Sequence, residues 1–182
     1  MKATLYYMLI LMFSLLTFDT IAQNTNPCKS EAHQQFDFWV GEWDVYDAHE
    51  DTLLGQSDVK QILNSCAIEE SWNSIAGFKG KSFNTYHPAD STWNRVWVDM
   101  SGVTYHFSGG LENGAMHLAG STMMNGKEVW FNLTFTPNKK EKTVRQIWKL
   151  TYDKENWATL FDGIYRKREK KKEKRKSGRK GE

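Results

Sequence analysis

Residues 36–45 read FDFWVGEWDV, a stretch that combines four aromatic side chains with three acids and one glycine. Interpreted as a strand over 36–46, it has two apolar faces, because successive side chains of a strand point to opposite sides. One face carries Trp39, Gly41, Trp43 and Val45. The other carries Phe36, Phe38 and Val40. We therefore expect a first strand that is covered on both sides and closes a core, rather than an active site.

The chain beyond this stretch consists of short segments with strand-like alternation, and helical periodicity is confined to a short helix at 29–36. Asn113-Gly114 and Asn125-Gly126 are typical of tight hairpin turns. The predicted strands span 36–46, 53–63, 66–75, 79–87, 92–100, 103–110, 114–122, 127–136, 142–152 and 157–165. Such strands predict an all-β fold, a single antiparallel up-and-down barrel of about ten strands, because closure removes the exposed edges. A barrel of ten strands has room for a ligand.

Polar and aromatic side chains alternate along several of these strands and form a candidate ligand site. The candidate ligand-binding residues are Glu70, Trp72, Asn84, Tyr86, Trp93, Arg95, Trp97, Asp99 and Arg145. The size of Trp93 and Trp97 favours an inward orientation of their strand. The alternative places these faces outside, with Val96, Val98 and Met100 inside. A charged side chain within a barrel needs a partner or water, so an inward orientation predicts ion pairs and an amphipathic or polar aromatic ligand.

Catalysis and metal binding are weaker alternatives. Glu70, Asp99 and His106 could supply an acid and a base if they met across the cavity, but no catalytic residue is assigned. The five histidines have no spacing typical of a metal site, so we expect no metal and no cofactor. Haem held by one inward histidine is the remaining cofactor hypothesis.

The first 22 residues have the pattern of a secretory signal peptide: a basic start, an apolar run at 5–18, and Thr20-Ile21-Ala22 as a cleavage signal. The alternative is an uncleaved anchor, although the run is shorter than a typical membrane span. We expect an exported protein, periplasmic or extracellular, without a transmembrane segment after cleavage. Cys28 and Cys66 are then expected to form a disulfide, with two free thiols as the alternative.

The C-terminal segment 166–182 holds 11 Lys and Arg and 3 Glu, which gives it a charge of +8. Since the whole chain carries +2, the remainder carries −6. We expect a disordered tail that is either simply solvated or attracted to an anionic surface of the cell envelope. Nucleic acid is not an expected partner, because the tail has no aromatic residue that could stack on bases.

Gly41-Glu42-Trp43 resembles the G-x-W motif of calycins, the superfamily of lipocalins and fatty-acid-binding proteins. A longer series adds Phe36-Asp37-Phe38-Trp39-x-Gly41-x-Trp43-x-Val45, Cys66-x-x-x-Glu70-x-Trp72, Gly80-x-Ser82-x-Asn84-x-Tyr86, Trp93-x-x-x-Trp97-x-Asp99, Arg145-Gln146-x-Trp148 and Phe161-Asp162-Gly163-x-Tyr165. Over about 28–165 the chain is similar to a family of exported bacterial proteins with a lipocalin-like barrel and no assigned activity. Nitrobindin-like barrels are more distant. The resemblance implies a central cavity and a structural role for Gly41 and Trp43, and it implies no reaction.

These observations divide the chain into a signal peptide at 1–22, a lead-in at 23–35, a barrel at 36–165 and a basic tail at 166–182. The expected function is that of an exported protein that binds a small apolar or amphipathic molecule inside the barrel. One alternative is a hydrolase or isomerase that uses the same cavity. Another is an envelope-associated interaction protein that acts through its tail.

Overall fold

A computed structural model of the 182-residue chain describes residues 27–169. The predicted signal peptide and the predicted tail beyond residue 169 lie outside these residues. The described part forms a closed antiparallel barrel of ten strands in which each strand pairs with its sequence neighbours and β1 pairs with β10. The strands are β1 (Gly41–Asp47), β2 (Leu53–Ile62), β3 (Ala67–Ser74), β4 (Lys79–His87), β5 (Thr92–Asp99), β6 (Thr104–Glu112), β7 (Ala115–Met124), β8 (Lys127–Asn138), β9 (Thr143–Thr151) and β10 (Ala158–Lys167). The predicted all-β barrel is confirmed.

The short N-terminal helix predicted at 29–36 is also present, as α1 (Glu31–Gln34). The beginning of the first predicted strand is wrong, however, because Asp37–Trp39 forms a 3₁₀ turn and β1 starts only at Gly41. In such a turn, side chains three residues apart point the same way. Phe36 and Trp39 can therefore enter the core together, where their rings stack with centroids 5.0 Å apart.

This N-terminal segment closes one end of the barrel. Phe36 and Trp39 are fully buried and both contact the ring of Phe135 on β8. A disulfide between Cys28 and Cys66 ties the segment to the turn between β2 and β3, as predicted. The rings thus fill the interior at this end, as the first stretch of sequence indicated.

Trp43 fixes the first strand to this plug. Its indole nitrogen donates a hydrogen bond to the Trp39 carbonyl oxygen at 2.8 Å, and its ring lies edge-on to that of Tyr165. The ammonium group of Lys167 lies 3.8 Å from the centroid of the Trp43 ring and donates to the Val40 carbonyl oxygen at 2.8 Å. Trp43 is therefore a packing residue of the closed end.

The barrel extends further into the basic segment than predicted. Strand β10 continues to Lys167, two residues beyond the expected end at 165. Arg168 follows, with its guanidinium paired to Asp44 and Asp58. These first cations of the segment are held because acids and an aromatic ring on the neighbouring strands offer them partners.

Candidate functional site

A cavity of about 400 Å³ occupies the barrel interior at the end opposite the aromatic plug. Its lining comes from the starts of β2, β6 and β10 and from the ends of β3 and β5, which all lie at one end of an antiparallel barrel. The lining residues are Leu54, Glu70, Trp72, Ser74, Phe78, Arg95, Trp97, Asp99, Tyr105, Gln146, Trp148, Leu160, Phe161 and Tyr165. The cavity is therefore mainly aromatic, with a small set of polar groups.

An ion pair lies at the bottom of this cavity. Arg95 on β5 donates from Nη2 to Glu70 Oε2 on β3 at 2.8 Å, and both side chains are almost completely buried. The carboxylate also accepts hydrogen bonds from the hydroxyls of Ser57 (2.9 Å) and Ser82 (3.2 Å). Four neighbouring strands, β2 to β5, thus each supply one side chain to a single hydrogen-bonded group. Buried charges persist only with such partners.

The guanidinium of Arg95 makes further contacts, although its buried Nε has no hydrogen-bond partner among the described residues. Its Nη1 donates to Asn84 Oδ1 at 3.0 Å. The rings of Trp39, Trp97 and Phe135 surround it with centroids 5.2 to 5.5 Å away. Such cation–π contacts stabilise a cation that water cannot reach. Arg95 therefore joins the aromatic plug to the cavity floor.

A second buried polar pair lies beside the first. The hydroxyl of Tyr165 on β10 donates to Gln146 Oε1 on β9 at 2.5 Å. Burial and the nearby Glu70 charge raise the pKa of Tyr165 well above its ordinary value. The phenol therefore stays protonated and holds the Gln146 amide in place against the cavity.

The walls above the floor are aromatic. Trp72 and Phe161 meet edge to face with centroids 6.0 Å apart, and Tyr105 and Trp148 do so at 5.3 Å. Edge-to-face packing of this kind leaves ring faces available to a flat molecule. The walls can therefore contact an aromatic ligand.

Exposed apolar side chains lie on or beside every turn at the open end. These are Leu53, Ile75, Phe78, Met100, Met123, Tyr152, Trp157 and Leu160. Asp99 is the acid in the cavity lining near this mouth, and it accepts a hydrogen bond from the Ser101 backbone at 2.9 Å. Burial and the Asp99 charge raise the pKa of Tyr105. The entrance of the cavity is therefore largely apolar, with Asp99 as a charged group beside it.

Most of the predicted site residues lie on inward faces. Trp93, Arg95 and Trp97 are buried while Val98 is exposed, so the inward orientation of β5 is correct and the alternative is not. The cavity lining includes Glu70, Trp72, Arg95, Trp97 and Asp99. Asn84 lies below the lining and contacts it through Arg95.

Tyr86 and Trp93 point inward but belong to the closed end rather than to the cavity. The Tyr86 ring packs against His33 of the lead-in, and Trp93 packs edge-on against Phe36. The Trp93 indole also donates to Gln35 Oε1 at 3.2 Å. On each strand they lie one or two inward positions nearer the closed end than the residues of the cavity floor, so the plug covers them.

Arg145 was predicted to line the cavity, and this prediction is wrong. Its guanidinium lies on the outer surface, where it pairs with Asp162 of β10 at 2.8 and 2.7 Å. The inward face of β9 instead carries Val144, Gln146 and Trp148. Those residues were not predicted to line the cavity, although the sequence indicated it: Arg145 and Lys149 place two charges on the opposite face, which favours that face as the outer one.

His106 does not meet Glu70 or Asp99. It is exposed on the outer face of β6, whereas its neighbours Tyr105 and Phe107 face inward. The acid–base combinations of His106 with either carboxylate therefore do not form. Tyr105, Gln146, Phe161 and Tyr165 were also missed as lining residues, because register across distant strands decides which side chains reach the cavity.

Within residues 27–169, no three His, Cys, Asp or Glu side chains are grouped so that they could hold a metal ion. The same described range contains no helix with the length and apolar character needed to cross a membrane. The closed ten-stranded antiparallel barrel is consistent with a lipocalin-like fold. No model of a known protein family matches the chain, and the curated proteins contain no match to it either.

Proposed function

We propose that this protein binds a small apolar or amphipathic molecule in the open half of its barrel. The observation that carries the proposal is the cavity of about 400 Å³, with aromatic walls above a hydrogen-bonded polar floor. Ligand sites in proteins are typically concave, mostly apolar and supplied with a few fixed polar groups.

The two halves of the interior differ, and the difference supports a binding role. The closed half is filled by Phe36, Trp39 and Phe135, which contact one another. The open half has equally large side chains on its walls but keeps a space between them. The ion pair of Glu70 and Arg95 separates the halves and gives the open space a rigid floor.

We also propose, from the motif resemblance, that the protein is a member of the calycin superfamily and is exported. The disulfide between Cys28 and Cys66 supports export, because such bonds persist mainly in oxidising compartments. The signal-like sequence at the start of the chain agrees with this proposal. Ligand binding would then take place outside the cytoplasm.

The binding proposal is tested with N-phenyl-1-naphthylamine, an uncharged dye that fluoresces in apolar surroundings. Two variants on β3 form a matched pair: Trp72→Ala removes a cavity wall, and Asn73→Ala changes the exposed side chain next to it. We expect saturable binding to the purified protein. The Trp72→Ala variant should bind at least about tenfold more weakly, since a large aromatic contact is lost, and Asn73→Ala should bind normally.

Equal binding by the two variants would place the dye on the apolar mouth or elsewhere and contradict the proposal. Absence of saturable binding would contradict it as well. Native mass spectrometry of protein purified from its own cells offers a second measurement, in which we expect a bound small molecule that is lost in the Trp72→Ala variant.

A further inference from the structure

The charges around the cavity restrict what it can bind, provided that it binds a ligand as proposed above. Three side chains of the lining carry a carboxyl or guanidinium group: Glu70, Arg95 and Asp99. The first two neutralise each other through their buried ion pair, which leaves the charge of Asp99. An anionic ligand would therefore meet a charge of the same sign and be repelled.

Arg95 is poorly suited to anchor an anion, because Glu70 already neutralises its charge. Each terminal nitrogen donates one hydrogen bond, Nη2 to Glu70 and Nη1 to Asn84, and Nε is buried without a partner among the described residues. The side chain is 2% exposed and is enclosed by three aromatic rings. An incoming carboxylate that took the place of Glu70 would leave the Glu70 carboxylate buried without its cation.

Gln146 is the amide side chain of the lining, and it retains a hydrogen-bond donor. Arg95 Nε and the Trp148 indole nitrogen also lack a hydrogen-bond partner among the described residues, but both atoms are fully buried. Gln146 Oε1 accepts from the buried Tyr165 hydroxyl, and Gln146 Nε2 has no hydrogen-bond partner in the described part of the chain. Tyr165 thereby fixes the amide so that its two N–H groups remain available at the floor. A ligand that ends in a hydrogen-bond acceptor would satisfy them.

The walls define the rest of the ligand. Trp72, Trp97, Tyr105, Trp148 and Phe161 surround the space between floor and mouth. Rings arranged in this way favour a flat aromatic molecule that can pack against ring faces and edges. We propose that the cavity takes an uncharged, flat aromatic molecule with a hydrogen-bond acceptor, and that Gln146 orients it by donating from Nε2.

Three naphthalene compounds of nearly the same shape test this proposal. 2-Acetylnaphthalene is neutral and carries a carbonyl acceptor, 2-isopropenylnaphthalene lacks the acceptor, and 2-naphthoate is an anion. Their affinities are measured near pH 7 by displacement of bound N-phenyl-1-naphthylamine from the wild-type protein. We expect the ketone to bind about three- to tenfold more tightly than either of the others, as one hydrogen bond or one repulsive charge would produce.

The variant Gln146→Met separates orientation from simple apolar binding. Methionine has a similar length but no amide, so we expect the ratio of ketone to alkene affinity to fall towards one. Asp99→Asn should raise the affinity for naphthoate relative to the ketone. Should Gln146→Met fail to fold, the wild-type series still tests the selection for a neutral molecule with an acceptor, and Gln146→Leu, which also lacks the amide, tests the role of residue 146.

The possible outcomes distinguish this inference from the proposed function. If the dye binds in the cavity but naphthoate binds as tightly as the ketone, the predicted selection against anions is wrong while ligand binding stands. If alkene and ketone bind equally to the wild type, Gln146 does not orient the ligand. If the dye does not enter the cavity, both proposals are overturned.

Discussion

Arg95 Nη2 donates a hydrogen bond to Glu70 Oε2 at 2.8 Å, and both side chains are only 2% exposed. This pair spans β4 on the inner face of the barrel, at the level where the aromatic plug ends and the cavity begins. Ser57 on β2 and Ser82 and Asn84 on β4 form further hydrogen bonds with it. The pair therefore connects the packing of the closed end to the geometry of the open end.

We expect the variant Arg95→Leu to lower the free energy of unfolding by about 3–5 kcal/mol, because it leaves the Glu70 carboxylate buried without its cation. Urea denaturation followed by circular dichroism measures the change. The double variant Glu70→Leu with Arg95→Leu should lose less than the sum of the two single variants. Additive losses would show that the two side chains are not coupled.

Arg145 supplies a matched control for this experiment on the outside of the barrel. It also forms an ion pair with hydrogen bonds, but its side chain is 45% exposed. The variant Arg145→Met should cost about 1 kcal/mol or less, because Arg145 is exposed to water and His49 remains beside the Asp162 carboxylate. A loss as large as that of Arg95→Leu would contradict the difference in burial on which both expectations depend.

The same outer pair predicts a pH effect. Hydrogen bonds and charge from Arg145 lower the pKa of Asp162 below its ordinary value. The stabilisation from this pair should be complete above the unfolded-state pKa of about 4 and should disappear as pH falls through the lower folded-state pKa. A carboxyl carbon NMR titration should show a higher Asp162 pKa in Arg145→Met.

Asp153 is the internal control for that titration. Its pKa is also lowered, but by donors in its own turn, first Asn156 and Glu155. It should keep the same pKa in Arg145→Met. An unmoved Asp162 pKa in the variant would mean that Arg145 does not pair with it in solution.

Loss of the disulfide should destabilise the fold. The bond between Cys28 and Cys66 closes a loop with a sequence separation of 38, which corresponds to about 4 kcal/mol in the chain-entropy model. We expect Cys28→Ser with Cys66→Ser to lower the free energy of unfolding by up to this amount, measured in urea. A reducing agent should destabilise the wild type and leave the double variant unchanged. Equal unfolding of oxidised and reduced wild type would contradict the prediction.

Gly80 permits the position of Trp97 beside the cavity. A Cβ atom at residue 80 would lie 2.2 Å from Trp97 Cζ2, so Gly80→Ala must move the ring. We expect a loss of about 1–3 kcal/mol in unfolding free energy, typical of overpacking, together with altered tryptophan fluorescence. Gly110→Ala is the control, because a Cβ there meets no atom within 4 Å. Equal stability of the two variants would show that the ring has room to shift.

The inward residues of β5 could be predicted from the sequence, whereas those of β9 were not. On β5, two tryptophans and an arginine share one face, and the size of the tryptophans indicated the interior. On β9, both faces mix polar and apolar residues, and Arg145 was wrongly assigned to the cavity. Which face of β9 points inward depends on its register with β10, where Asp162 pairs with Arg145 on the outer surface.

For the first stretch, 36–45, the sequence likewise predicted one property correctly and another wrongly. Its aromatic content correctly indicated a closing element, because so much apolar surface needs a core. Its local structure was predicted as a continuous strand, whereas Phe36 and Trp39 use a 3₁₀ turn to reach the same plug. Local alternation could not indicate that turn, since its advantage arises from tertiary contacts, among them those with Trp93 of β5 and Phe135 of β8.

The sequence by itself determined the all-β class, the number of strands, the paired cysteines and the plug. These features follow from the alternation of side chains, the turn residues and the apolar content, which can be identified without knowing which strands pair. Only the tertiary structure decided which polar residues meet. Glu70 and Arg95 are 25 positions apart, and Gln146 meets Tyr165 across 19. Strand register brings such residues into hydrogen-bonding distance, and register is a property of the closed barrel rather than of any one strand.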